Sequence, residues 1–473
     1  MKVYQDDIAI VGMAGLFPNC PDLAAFWSNL LSKTCCISDH PDPAARAFLD
    51  AAPATPSRVY NLRGGYLGGL ARFDPMKHGI MPADLAGGDP DQFLALQVAQ
   101  DAVLDAGIEP ADLPRERTEV ILGHGNYFNA GHVGWILNGA VVDQVLDALR
   151  QLAPDLSEAE VRDIAERLRG SLPPITPQTP ATIIPNIVAG RTANRLDLMG
   201  ANYTIDAACA SSLIAVDHAV KDLLLDRCDL ALAGGVQTSL FALELMLFCT
   251  LNALTRHPEL RPFDQQADGT MLGEGAGILV LKRRRDAEKD GNRIYAVVKG
   301  IGLASDGRAQ GLLAPRREGQ VLAIRRAYET AGVDPATVEL VEAHGTGIPL
   351  GDATEIQSLA QVFGPRSGKQ PTCAVGSVKS MIGHCRPAAG AAGLIKAALA
   401  LYHKVLPPTL NCQHPNPALG LESTPFYINT EARPWVRGHA ATPRRAGISA
   451  MGFGGIDSHC VLEEHEGSHV RER

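Results

Sequence analysis

Short apolar runs with almost no polar interruption alternate with longer stretches of helical periodicity, and this alternation constrains the fold more than any other feature of the chain. A strand that is apolar on both faces must be covered on both faces, which sets helices above and below a sheet. Ile8-Ala9-Ile10-Val11-Gly12-Met13 predicts such a strand, and residues 119–122, 230–235, 278–281, 295–298 and 338–343 predict others. Helices are expected over residues 92–106 (stopped by Gly107), 213–225, 320–331, 353–363 and 391–401. The class is α/β.

The 473 residues fit either one large α/β body or two fused halves, against a prior of about 150 residues per domain. The charged run Lys282-Arg283-Arg284-Arg285-Asp286, continuing to Gly291, marks the best internal boundary, near 285; it reads equally as a solvated turn between strands. Segments 38–75 and 150–185 are rich in Pro, Asp and Ala and predict surface insertions. The tail after Glu464 is polar and expected to fray.

Composition removes several function classes. Lys and Arg total 43 against 52 Asp and Glu, a formal net charge of −9. With no basic stripe, nucleic-acid binding is not expected. No run approaches the roughly 18 apolar residues of a membrane span, and no secretory signal is visible. The ten cysteines include no CxxC pair, so neither a zinc site nor a disulfide framework is expected. A cytoplasmic protein is expected.

Four segments could carry chemistry. In Thr204-Ile205-Asp206-Ala207-Ala208-Cys209-Ala210-Ser211-Ser212 a strand gives way to small residues and then an apolar helix. That places Cys209 at a helix N-terminus, where amides and dipole favour thiolate. A lone cysteine there is more often a packed core thiol. In Val341-Glu342-Ala343-His344-Gly345-Thr346-Gly347-Ile348-Pro349-Leu350-Gly351-Asp352 a strand delivers His344 to a glycine-rich turn, with Glu355 one turn further on. Gly376 to Gly393 carries Lys379 and His384 five residues apart, ahead of a helix of tiny residues; a surface lysine and a capping histidine fit as well. Gly447-Ile448-Ser449-Ala450-Met451-Gly452-Phe453-Gly454-Gly455 can bring an amide close to a ligand, or form an ordinary tight turn. No GxxxxGK[ST] exists and no GxGxxG opens a helix, so a nucleotide site is not expected.

Taken in order, these motifs resemble the β-ketoacyl synthases, the ketosynthase domains of polyketide and fatty-acid synthases. The likeness runs from Asp7-Ile8-Ala9-Ile10-Val11-Gly12-Met13-Ala14-Gly15 to Val461-Leu462-Glu463-Glu464 and includes Arg261-Pro262-Phe263-Asp264 and Gly273-Glu274-Gly275-Ala276-Gly277. Gly12-Met13-Ala14-Gly15-Leu16-Phe17-Pro18 is similar to the multidomain-synthase branch. Asp89-Pro90-Asp91-Gln92-Phe93-Leu94-Ala95-Leu96, with the alanines flanking Cys209, is similar to polyunsaturated-fatty-acid and enediyne-type synthases.

The resemblance implies a thiolase-type duplicated fold, five-layered α-β-α-β-α. Residues 1–285 would form the half carrying Cys209, 286–464 the half carrying the histidines and Lys379, and 465–473 a tail. It implies a nucleophile at Cys209, decarboxylation and enolate stabilisation by His344 and His384, and electrostatic support by Lys379, which would also orient His384. It implies an oxyanion hole from the amides of Cys209 and Phe453, with Phe453 as a gate. Thr346, position 348, Gly454 and Gly455 would meet the pantetheine arm, and Glu355 and Asp352 would support the site, with Glu355 near Lys379. No bound cofactor or metal is implied. Substrates would ride on the phosphopantetheine of an acyl carrier protein, and the assembly would be a homodimer, or a heterodimer with a ketosynthase-like partner. The alternatives are a non-elongating acyl transferase or hydrolase, and a chain-length-factor-like partner; Cys209 and both histidines argue against these. The chain departs from the family at Ile348 (usually Thr), Ile456-Asp457 (usually Thr-Asn), Met451 (commonly Phe) and Cys385-Arg386-Pro387. Arg386 would either pair with an acidic group or line the entrance.

Overall fold

The computed structural model describes residues 6–85, 88–125, 128–172, 175–177, 179–309, 311–437 and 442–467. Its strands, in chain order, are β1 (Ile8–Leu16), β2 (Thr118–His124), β3 (Asn202–Ile205), β4 (Leu230–Gln237), β5 (Gly275–Arg283), β6 (Ala296–Ser305), β7 (Leu340–Glu342), β8 (Cys373–Gly376), β9 (Val405–Leu406), β10 (Phe426–Ile428), β11 (Arg433–Pro434), β12 (Arg445–Gly452) and β13 (Ile456–Glu463). Eleven of them hydrogen-bond in the order β10-β8-β7-β12-β13-β6-β1-β5-β4-β2-β3. A short seam joins the two sides, where Ile8, Ala9 and Ile10 of β1 face Val298, Val297 and Ala296 of β6.

The arrangement repeats across that seam. On one side β3, β2 and β4 run parallel, and β5 and β1 are antiparallel to their neighbours. On the other side β8, β7 and β12 run parallel, and β13 and β6 are antiparallel. Alternate residues of each strand feed different cores. Ile8 and Ile10 join a central cluster with Leu213, Val216, Leu394 and Ile395. Ala9 and Val11 face outward onto Phe93, Leu96 and Val188. A third cluster gathers Ile324, Val341, Ile356 and Leu359 on the far side. Helices Pro90–Asp105 and Ile187–Arg195 therefore form one outer layer, Ser211–Leu224 and Ala389–His403 the middle layer, and Arg317–Ala331 and Pro349–Phe363 the other outer layer. This is the duplicated, five-layered thiolase arrangement.

The tiny residues of the Ala389–His403 helix let the two middle helices touch. A β-carbon on Gly390 would lie 2.8 Å from Ser212 Oγ. Ala391 N–H donates to that oxygen at 2.9 Å. Ser212 lies three residues after Cys209, and Gly390 six after His384. The crossing of these helices thus brings both ends of the chemistry to one place.

Some expectations need correction. Helices begin two to four residues earlier than the periodicity indicates, because capping residues carry no apolar signal; Asp89 caps the first of them ahead of Pro90. The 282–291 run is neither a linker nor a solvated turn. Lys282 and Arg283 finish β5, Arg284–Lys289 is helical, and the buried Arg283 guanidinium pairs with Asp226, Asp229 and Asp286. Segment 38–75 is not merely surface. Ala45, Val59, Leu62 and Tyr66 are buried in a core with Leu245 and Phe248. Residues 150–170 do lie outside, where helices Val142–Leu152 and Glu158–Gly170 share a small core of their own. Residues 468–473 of the expected tail lie outside the described residues.

Candidate active site

Cys209 stands at the apex of a tight turn after β3. Asp206 Oδ1 accepts the Ala208 N–H at 3.0 Å, and Ser211 Oγ accepts the Ala207 N–H at 2.9 Å. Ala208 is left-handed, φ 50°, a conformation that costs an L-residue about 1 kcal/mol and favours a small side chain. The helix starts at Ser211, so Cys209 lies two residues ahead of it rather than in its first turn. Its side chain is buried and lines a cavity of about 290 Å³. Burial pushes the thiol up to about 11, while the positive charges of Lys379 and Arg386 pull it the other way. Burial thus opposes the thiolate expected from the helix terminus, because desolvation outweighs the favourable charges.

Two carboxyl groups hold the loop that carries His344. Glu355 accepts the N–H groups of His344 (2.7 Å) and Gly345 (2.9 Å). Asp352, one turn earlier on the Pro349–Phe363 helix, accepts those of Thr346 (3.0 Å), Gly347 (3.2 Å) and Phe263 (2.8 Å). Burial raises both groups, Asp352 to about 7, against these bonds. Lys379 Nζ donates to the His344 carbonyl at 2.5 Å. Its hydrogen bond therefore supports the His344 backbone, whereas orientation of His384 was expected; toward His384 the lysine acts through its charge.

The imidazoles of His344 and His384 lie 5.3 Å apart, edge to face at 86°. Nδ1 of His344 accepts the Met451 N–H at 3.4 Å, and Nδ1 of His384 accepts the Arg386 N–H at 3.3 Å. Burial holds both rings well below the ordinary histidine range, reinforced by the Lys379 charge. Both are therefore neutral, and an Nδ1 that accepts leaves the proton on Nε2. Each ring presents one Nε2–H donor.

The glycine-rich loop between β12 and β13 closes the site over the nucleophile turn. A β-carbon on Gly452 would lie 2.4 Å from the Ala207 carbonyl, so this glycine lets the loop rest on the nucleophile turn. Gly454 (φ 93°) and Gly455 (φ 78°) complete the bend. The Phe453 ring stacks on Phe248 at 5.8 Å. One cavity is lined by Cys209, His344, His384, Thr346, Ile348, Asp352, Glu355, Phe453, Gly454 and Gly455; Lys379 stands behind it.

Residues 5–287 match the family described as "Beta-ketoacyl synthase, N-terminal domain", and 295–413 match "Beta-ketoacyl synthase, C-terminal domain". The chain belongs to the β-ketoacyl synthase family. It is 38% identical to a polyunsaturated fatty acid synthase of Thraustochytrium, over 98% of this chain and 16% of that one. It is 37% identical to polyketide synthase PksN of Bacillus subtilis, over 97% of this chain and 8% of that one. The chain thus spans a small part of these relatives' length. Among solved structures, the oxazolomycin ketosynthase domain OzmH KS7 of Streptomyces albus aligns with TM-score 0.84 and 34% identity, over 98% of this chain and 75% of that one. The ketosynthase from module 6 of the Bacillus subtilis bacillaene synthase aligns with TM-score 0.81 and 33% identity, covering 98% and 72%.

The sequence left Arg386 either to pair with an acidic group or to line the entrance, and it assigned no role to Asp306 or to the Asp89, Asp91 and His124 group. Arg386 pairs with Glu244, both fully buried, and does not line the cavity. Asp306 and Asp457 line the cavity wall, and burial beside Asp306 raises Asp457 to about 8. Only the departure at position 457 signalled this pair. Asp89, Asp91 and His124 bring three possible ligand atoms within 4.8 Å of one another. Asp91 already faces His124 Nε2 at 3.0 Å and accepts the Thr238 N–H and hydroxyl, which describes a satisfied buried ion pair. All ten cysteines are free thiols.

Proposed function

We propose that this chain condenses an acyl group held on Cys209 with a malonyl-type carrier thioester, losing CO2. The observation that carries this reading is one cavity shared by Cys209 and two neutral Nε2–H imidazoles. In the first step the Cys209 sulfur attacks the acyl-pantetheine carbonyl. The amides of Cys209 and Phe453 receive the oxyanion, and the thiol proton leaves with the pantetheine sulfur. In the second step the Nε2–H groups of His344 and His384 hold the malonyl thioester carbonyl. The carboxylate departs as CO2, and the electron pair it leaves forms an enolate on that oxygen. The enolate carbon attacks the Cys209-bound acyl carbonyl; collapse of the adduct expels the Cys209 sulfur, which regains a proton. Neutral imidazoles suit this, since their donors meet charge only as it develops. Incubation with an acyl-pantetheine thioester and malonyl carrier protein is expected to yield a 3-oxoacyl carrier thioester by mass spectrometry. Hydrolysis or transfer without that product would sink the reading.

The carrier's pantetheine arm would enter past Thr346, Ile348, Gly454 and Gly455. Ile348 supplies a methyl-lined wall where the family usually has a hydroxyl. Ile348→Thr is expected to lower the apparent KM for carrier substrate about fivefold, the value of roughly one hydrogen bond. An unchanged KM would show that the arm does not pass there.

The duplicated strand order supports taking 1–285 and 286–464 as the halves. Among the described residues no helix is long and apolar enough to cross a membrane. We place the chain in the cytoplasm, as a homodimer served by an acyl carrier protein, in keeping with the synthase relatives.

A further inference from the structure

Arg386, two residues past His384, is buried to 1% exposure and has left-handed backbone, φ 51°. Its Nη1 pairs with Glu244 of the Ala242–Thr250 helix. Its Nη2 donates to the Ser239 carbonyl at 3.3 Å and the Gly273 carbonyl at 3.2 Å. A buried ion pair is a weak source of stability, since desolvating both charges offsets their attraction. This one pins a strained residue whose own N–H donates to His384 Nδ1.

We propose that Arg386, clamped by Glu244, is a positioning residue for the condensation: its amide fixes the His384 ring, and its guanidinium joins Lys379 in supplying the positive field in which Cys209 and His384 react. The hydrogen bonds of Arg386 supply the geometry, and the surrounding charges act in the same sense. Against the larger effect of burial, the charges of Lys379 and Arg386 pull the Cys209 thiol down, and that of Asp206 pushes it up. His384 faces Lys379, His344 and Arg386. Glu244 and Glu274 both face Arg386. Removing the guanidinium therefore leaves Cys209 less ionised and lets His384 take a proton at higher pH. A proton on Nδ1 would meet the amide that now donates to it, and the ring would swing.

This inference rests on the roles proposed for Cys209 and His384. The test uses the full chain with Arg386→Met/Glu244→Gln, which removes both charges of the pair and leaves Glu274 held by the Leu67 and Leu240 amides. Iodoacetamide alkylation of Cys209 is expected to slow at least about threefold at a fixed pH near 8. Decarboxylation of malonyl carrier is expected to lose about tenfold in kcat with KM unchanged, and its acid limb to move to higher pH. Arg386→Lys, which keeps the charge, is expected to recover most of the alkylation rate. Should the double variant not fold, Glu244→Gln alone is expected to speed alkylation about twofold, because the guanidinium loses its counter-charge. Wild-type alkylation and pH profile in a folded double variant, or an unchanged rate in Glu244→Gln, would overturn the proposal. His384→Ala decarboxylating at the wild-type rate would instead overturn the roles beneath it, so the two failures are told apart.

Discussion

Cys209→Ala is expected to abolish the acyl adduct seen by intact mass spectrometry and to lower condensation by at least about three orders of magnitude, since no other side chain in the cavity can take its place as nucleophile. The loss should be specific. The variant removes one sulfur from a turn of small residues, so the fold should persist by circular dichroism. With the wild-type thiol pushed up to about 11 by burial, alkylation should keep climbing with pH through the range in which an ordinary cysteine, near pH 8.5, begins to level off. An acyl adduct in Cys209→Ala would remove this residue from its role. A plateau near neutral pH would show that the two cations outweigh burial after all.

His344→Ala separates the half-reactions. Acyl transfer to Cys209 is expected to continue, because the oxyanion of that step sits on backbone amides. Decarboxylation of malonyl carrier should fall about 100- to 1000-fold, the usual effect of losing one preorganised donor. The pH dependence carries a sign. Both histidines are held well below 6.5, so neither gains a proton as pH falls through that value. The wild-type decarboxylation rate should therefore show no acid limb near 6.5. Decarboxylation unchanged in His344→Ala, or a limb at 6.5 in the wild type, would contradict neutral imidazole donors.

Much of this site was legible in the residues because its parts are local. Each motif is a strand end followed by small residues and a helix, and periodicity finds strands and helices whatever their partners. Less legible was whatever depends on a distant segment. Segment 38–75 looks exposed by composition, yet Gly65 lies between Leu272 and Ile382, where a β-carbon would stand 1.8 Å from the Ile382 carbonyl. Arg386 was legible as a candidate for pairing with an acidic group, but its partner Glu244 lies 142 residues away and only folding identifies it. Lys379 was expected to serve His384, but its hydrogen bond goes to the His344 carbonyl, which the parallel pairing of β7 with β8 brings within reach.

The amino-acid order by itself determined the alternating layers, the four chemical segments and the identity of the groups within them, because these follow from apolar periodicity and from side-chain chemistry along short stretches. The tertiary structure alone decided that burial raises the Cys209 thiol and lowers both imidazoles, that each Nδ1 meets a backbone amide, and that a buried guanidinium stands beside one of them. Protonation and tautomer depend on desolvation and on charges and amides approaching through space, and those neighbours come from parts of the chain that only folding brings together.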